Sequence, residues 1–230
     1  MTDLKLSTLT LKELRTYVQL KEQFVDWDTW LSEDYPILSD LETQGVEAIV
    51  RRIKSDPLHL LNEATLWSRA IYPLLLLAER ESLRAWAEVN LSAQYPKFQI
   101  EGVAEGVLGM GIGGRIETPY LVMVEAKRGV DNQNPLFQLY GQLLAATWLN
   151  AQAETVVQPC ESQQIFGCYT IADSWTFVWA TVTGFTADRP TLTVTLSREY
   201  SEKLEAFTIL KILKAIMAQQ LGERSFAISL

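Results

Sequence analysis

The residues of this chain best suited to chemistry close an apolar run. In Y-L-V-M-V-E-A-K-R-G, residues 120–129, five aromatic or aliphatic side chains lead directly into Glu125 and Lys127. Side chains two apart on a strand share a face. The spacing therefore puts Leu121, Met123, Glu125 and Lys127 on one face and Tyr120, Val122, Val124 and Ala126 on the other. Both faces are apolar up to Glu125, which predicts a central strand covered on both sides. Burying a carboxylate or an ammonium there costs on the order of several kcal/mol unless the charge is paired or bound. Taken by itself, the pair reads as a rim salt bridge where a strand emerges into solvent.

Its neighbours change that reading. In E-G-V-A-E-G-V-L-G, Glu105 falls in phase with Val103 and Val107 on another strand. Downstream, Gln138 and Gln142 are four apart, on one face of the next helix. Upstream, Glu63 lies near the start of a helix rich in apolar residues. Carboxylates at the ends of adjacent strands, one lysine and a glutamine pair suit metal-assisted hydrolysis of a phosphodiester. Glu105, Glu125 and the backbone carbonyl of Ala126 offer the oxygen ligands that Mg²⁺ prefers, with Mn²⁺ as a substitute. Such a metal lowers the pKa of bound water and polarises a phosphate oxygen. Lys127 can stabilise the charge that builds on the phosphate or orient the water. Gln138, with Gln142 as the alternative, and Glu63 can support them from outside the ligand set.

These residues need a frame to converge. The first 55 residues read as helical: Thr10 and Glu13 have capping-box spacing, and a second helix spans about Ile37–Lys54 before Asp56-Pro57 breaks it. A third, about Leu60–Glu81, should be kinked or split at Pro73. The hydrophobic period then shortens to two, which predicts strands at Trp86–Gln94, Phe98–Met110, broken near Gly102, and Tyr120–Ala126. The glycine-rich G-M-G-I-G-G-R-I-E-T-P precedes a strand rather than a helix, so it reads as a hairpin turn and not a phosphate loop. A helix over Asn134–Asn150, strands at Ile165–Ala172, Trp175–Gly184 and Thr191–Ser197, and a closing helix over Glu199–Leu221 complete an α/β or α+β domain around one mixed sheet.

Composition narrows the partners. The net charge of −8 counts against a surface wrapped in nucleic acid, because non-specific binding is mostly phosphate neutralisation. The longest apolar run, Ala70–Ala78, is too short for a bilayer span of roughly 20 residues. The start of the chain has no secretory pattern, so a cytoplasmic protein without a membrane segment is expected. Cys160 and Cys168, with His59 the one histidine, read as ordinary thiols rather than a zinc site. There is no Walker-type loop and hence no ATP motor within the sequence.

Together, the motifs resemble the PD-(D/E)xK nuclease superfamily, with its restriction-endonuclease-like fold. V-E-A-K-R-G is similar to the (D/E)xK strand in its apolar lead-in and basic tail. N-E-A-T-L-W-S-R-A-I-Y-P-L-L looks like the opening helix of the N-terminal nuclease domain of type I restriction R subunits. G-C-Y-T-I-A-D-S-W-T-F-V resembles the strand–turn–strand after the glutamine helix of that group. The resemblance covers about Asn62–Phe177 and not the first 55 residues. It implies Glu125 and Lys127 as the (D/E)xK pair, Gln138 as the helix glutamine and Glu63 as the acid from the first helix. Glu105 departs from it, standing where the family usually has aspartate.

The expected organisation is an N-terminal helical extension over residues 1–56 and a nuclease-like domain over 57–230. The expected activity is Mg²⁺-dependent hydrolysis of DNA, with Arg128, Arg115 and Gln142 on the substrate side; Lys211 and Lys214, three apart on a helix, read as a solvated face rather than as DNA contacts. The alternative is a nuclease-fold protein without activity that binds nucleic acid or protein. The N-terminal helices, with Trp27, Trp30 and Tyr35, would cap the core or form a homodimer face.

Overall fold

A computed structural model describes residues 1–25, 36–127, 134–153 and 161–220. One eight-stranded mixed sheet runs through the molecule with helices on both faces. The strands are β1 (Thr2–Lys5), β2 (Gln19–Phe24), β3 (Leu83–Gln94), β4 (Phe98–Ile112), β5 (Arg115–Lys127), β6 (Ser162–Ile171), β7 (Ser174–Thr183) and β8 (Thr191–Ser201). The helices are α1 (Leu11–Tyr17), α2 (Asp40–Ile53), α3 (Glu63–Leu66), α4 (Tyr72–Ala78), α5 (Pro135–Ala151) and α6 (Glu202–Gln220).

The expected helical extension is corrected: it supplies two strands of the sheet. β1 pairs in parallel with β4, and β2 pairs in parallel with β8. Thr10 and Glu13 do form a capping box, but on the short helix α1 between these strands. β2 escapes a hydrophobicity pattern because it is an edge strand, Q-L-K-E-Q-F, with five of its six side chains exposed. Its pairing comes from β8, about 170 residues away in sequence. Trp27, Trp30 and Tyr35 lie outside the described residues.

α3, a π-helical turn over Trp67–Ile71 and α4 follow one another without a break. Pro73 sits at the start of α4, where its missing N–H and fixed φ are tolerated. The glycine-rich segment is the β4–β5 hairpin turn, with Gly113 and Gly114 at φ 59° and 79°. Glycine is favoured at both because a Cβ is strained there. The last strand runs to Ser201, so the closing helix begins three residues later than its pattern suggests.

Two cores cover the sheet. Leu74, Ile209, Leu213 and Met217 pack over Val122, Val124, Phe166 and Phe177 on one face. Leu14, Leu139, Leu143, Tyr95, Phe98 and Met123 pack on the other. Each fully buried aliphatic or aromatic side chain contributes roughly 1.5–3 kcal/mol.

Two backbone irregularities decide which side chain faces which core. At Leu121 the β4–β5 ladder shifts register. Leu121 joins Val122 in the α4–α6 core, while Tyr120 packs with Met123 against the α5 side. The simple alternation predicted for Tyr120–Ala126 thus fails at its first two residues and holds from Val122 onward. Farther along, Glu88 has a left-handed φ of 53°, and β3–β4 pairing skips Glu88 and Glu105. Ala85 and Leu108 face the α4–α6 core, whereas Val89 and Ala104 face the α5 core. Glu105 sits at that crossover. Val103, expected to share its buried phase, is exposed.

Candidate functional site

β5 carries Glu125 and Lys127 to its C-terminal end between two different neighbours. β6 continues beside it in parallel to Lys127–Ile171, but the β4 ladder stops at Gly106–Val124. The N–H of Ala126 therefore has no backbone partner on β4, and the Glu105 side chain supplies one: its Oε2 accepts from Ala126 N at 2.9 Å. In a strand the N–H and C=O of one residue point to the same side. The Ala126 carbonyl is thus directed toward the Glu105 side of the strand.

Three carboxylates surround the Lys127 ammonium. Nζ lies 3.0 Å from Glu125 Oε1, 3.3 Å from Glu105 Oε1 and 3.9 Å from Glu63 Oε1. Exposure rises outward: the Glu125 side chain is 2% accessible, Lys127 12%, Glu105 31% and Glu63 45%. Glu63 reaches the site from the first residue of α3, whose N-cap Asn62 accepts from Thr65 N. The residue after Glu105, Gly106, packs directly beneath Trp67. A Cβ at Gly106 would lie 2.4 Å from the Trp67 indole, so only glycine admits that packing.

α5 closes the site from the other side. Gln142, fully buried, donates Nε2–H to Glu125 Oε2 at 2.6 Å. Gln138, expected as the helix glutamine with Gln142 as its alternative, is buried on the same helix face, one turn closer to the α5 N-terminus, and makes no bond to Glu125. The helical spacing was legible in sequence, but which turn meets Glu125 depends on how far α5 slides along β5. Asn150 helps to hold that position. Its side-chain amide accepts from Tyr120 N and donates to Tyr120 O, both at 2.8 Å, beside the Leu121 irregularity. Nothing in the residue pattern marked Asn150 for this task.

The electrostatics follow from crowding. Burial raises Glu125, Glu105 repels its charge further, and Lys127 and Gln142 counter them only in part, leaving its pKa at about 7. Burial also raises Glu105 above the ordinary carboxylate range, with Lys127 and the Ala126 N–H opposing. Burial acts to lower Lys127, but Glu125, Glu105 and Glu63 outweigh it and hold the ammonium firmly charged.

The other substrate-side residues do not assemble here. Arg115 begins β5 and pairs with Glu117 at 2.6 Å. It stands a whole strand away from Lys127, roughly 30 Å at about 3.3 Å per residue along the β4 register. Lys214 ties α6 to Glu42 of α2 on the opposite face of the sheet. Arg128 lies outside the described residues, as does Cys160; Cys168 is a buried core thiol whose pKa is pushed up by burial.

Among the described residues, no three His, Cys, Asp or Glu side chains meet as a metal cluster. The carboxylates meet Lys127 rather than one another. The donor set nonetheless suits a hard cation: Glu105 and Glu125 both reach within 3.3 Å of a single point, and all the available donors are oxygens. Mg²⁺ keeps several waters and needs few protein ligands. No helix among the described residues is long and apolar enough to cross a membrane. No protein-family model matches the chain, and no curated protein matches it.

Proposed function

We propose that this protein is a Mg²⁺-dependent nuclease of the PD-(D/E)xK type, with a restriction-endonuclease-like core, acting on DNA. One observation carries the reading: Glu105 and Glu125, from different strands, converge with Lys127 at the end of a buried strand. The element order supports it, with a helix, three antiparallel strands, a glutamine-bearing helix and a fourth strand parallel to the third.

Glu105, Glu125 and the Ala126 carbonyl would hold the cation, which when bound supplies an acidified water and a polarised phosphate oxygen. Gln142 fixes the Glu125 carboxylate in one rotamer, leaving Oε1 to face Lys127. The Ala126 N–H does the same for Glu105, leaving Oε1 inward. Lys127 brings a full positive charge to the phosphate oxygens, where it stabilises the charge developing in the transition state. The buried floor of Glu125, Gln142 and Gln138 excludes bulk water and strengthens these interactions.

A second reading has its own observation. Lys127 already pairs with both carboxylates, as it would in an inactive protein that uses the cluster only to join β4, β5 and α3. The net charge of −8 agrees with a protein-binding rather than a DNA-binding role. Cleavage of single-stranded, double-stranded and branched DNA with Mg²⁺, Mn²⁺ or EDTA separates the two. The nuclease reading expects metal-dependent cleavage that falls by at least about 100-fold in Lys127→Ala. No cleavage with either metal, or cleavage indifferent to EDTA and to the substitution, selects the second reading.

A further inference from the structure

The position on which Glu105 and Glu125 converge is filled by this chain's own Lys127. Its Nζ has an oxygen of each within 3.3 Å, and its side chain is only 12% exposed. It bonds to Glu105 Oε1 at 3.3 Å. Its approach to Glu125 Oε1 is closer, at 3.0 Å. Gln142 already occupies the other oxygen of Glu125, and the Ala126 N–H the other oxygen of Glu105. The ammonium and any second cation are therefore left the same two oxygens.

We infer that Lys127 is the resident cation of this site and that a divalent cation must displace it. The inference rests on the reading of Glu105 and Glu125 as metal ligands. Two like charges within a few ångströms repel strongly at the effective dielectric of a partly buried site. Entry of the metal therefore swings the ammonium outward. Glu63, 3.9 Å from Nζ and the most exposed of the three acids, is the next anion on that path. Lys127 becomes available to a phosphate only once the cation is in place. The exchange makes the lysine an internal guard that keeps the unloaded site from engaging nucleic acid.

The test titrates Mn²⁺ into the full chain and its Lys127→Met variant without nucleic acid, by calorimetry and by Mn²⁺ electron paramagnetic resonance. The variant should bind Mn²⁺ at least about tenfold more tightly, because no internal cation has to leave. An Arg69→Met variant removes an equal charge from a pair with Asp56 outside the cage, and its affinity should stay within about twofold of wild type. Removing the partner of a buried carboxylate can also unfold the metal-free variant. Melting temperatures are therefore followed against Mn²⁺, and Lys127→Met should gain more from the metal than wild type does. Equal binding and equal thermal gain overturn the competition while leaving the metal site standing, as does an equal affinity gain in Arg69→Met. Absence of Mn²⁺ binding in wild type and variant alike overturns both the competition and the metal reading.

Discussion

Glu105 carries one methylene more than an aspartate, and the geometry uses it. From the crossover in β4 its carboxylate spans to the Ala126 N–H at 2.9 Å while its second oxygen reaches Lys127 at 3.3 Å. A shorter side chain from the same backbone cannot make both contacts. The substitution Glu105→Asp should therefore weaken the site. If the protein is the proposed nuclease, cleavage falls by roughly tenfold; in any case stability drops by about 1 kcal/mol from the orphaned N–H. Rates and urea melts of the variant check this; an unchanged or faster rate would contradict the role given to the extra length. At this scale the sequence was informative about residue types and blind to partners. Gln138 and Gln142 are equivalent on a helical wheel, and the seating of α5 along β5, held in part by the Asn150 bonds to Tyr120, brings Gln142 to Glu125. Arg115 looked suitable by charge, yet it belongs to the far end of the same strand.

Elements add a second buried acid that the chemistry does not use. Glu202 opens α6, fully buried, with Oε2 accepting from Trp175 Nε1–H at 2.8 Å. Its other oxygen has no hydrogen-bond partner among the described residues. Burial, with Asp173 adding repulsion, pushes its pKa up to about 7 against the Trp175 bond. A carboxyl raised in the folded state contributes stability that is fully present below its unfolded pKa of about 4.3. That stability declines as pH rises toward 7 and is then lost. Glu202→Gln keeps an acceptor for Trp175 but cannot ionise. The variant should match wild type near pH 4 and be more stable by about 1–3 kcal/mol at pH 8. Denaturant melts across that range provide the check, and a difference independent of pH would rule out a buried neutral acid. Element types from β3 to β8 were largely legible because period-two and helical patterns are local. The reversal of facing at Glu88 and Glu105 was not, because it arises from one left-handed residue that no apolar pattern announces.

On the scale of the whole molecule, the first 25 residues are part of the sheet. Leu4, Leu6, Leu9, Leu14 and Val18 are buried, and a Cβ at Gly141 of α5 would collide with Leu6 and Leu9. A chain begun at residue 36 should lose β1, β2 and the α1 cover of the α5 core. We expect it to lack a cooperative thermal transition, measured by circular dichroism. Wild-type melting by that shortened chain would restore the picture of a detachable extension. The sequence by itself determined the local matters: an apolar strand that ends in opposite charges, an amphipathic helix with two glutamines, a capping box, and a glycine hairpin. Each depends on neighbours a few residues apart, where spacing alone sets which side chains share a face. Tertiary structure decided that β1 and β2 pair with strands that begin at Phe98 and Thr191, far away in sequence, which glutamine meets Glu125, and that Lys127 fills the place where two carboxylates converge. Those outcomes depend on register and on packing between distant elements, where local preference is weak and the burial of a shared core is strong.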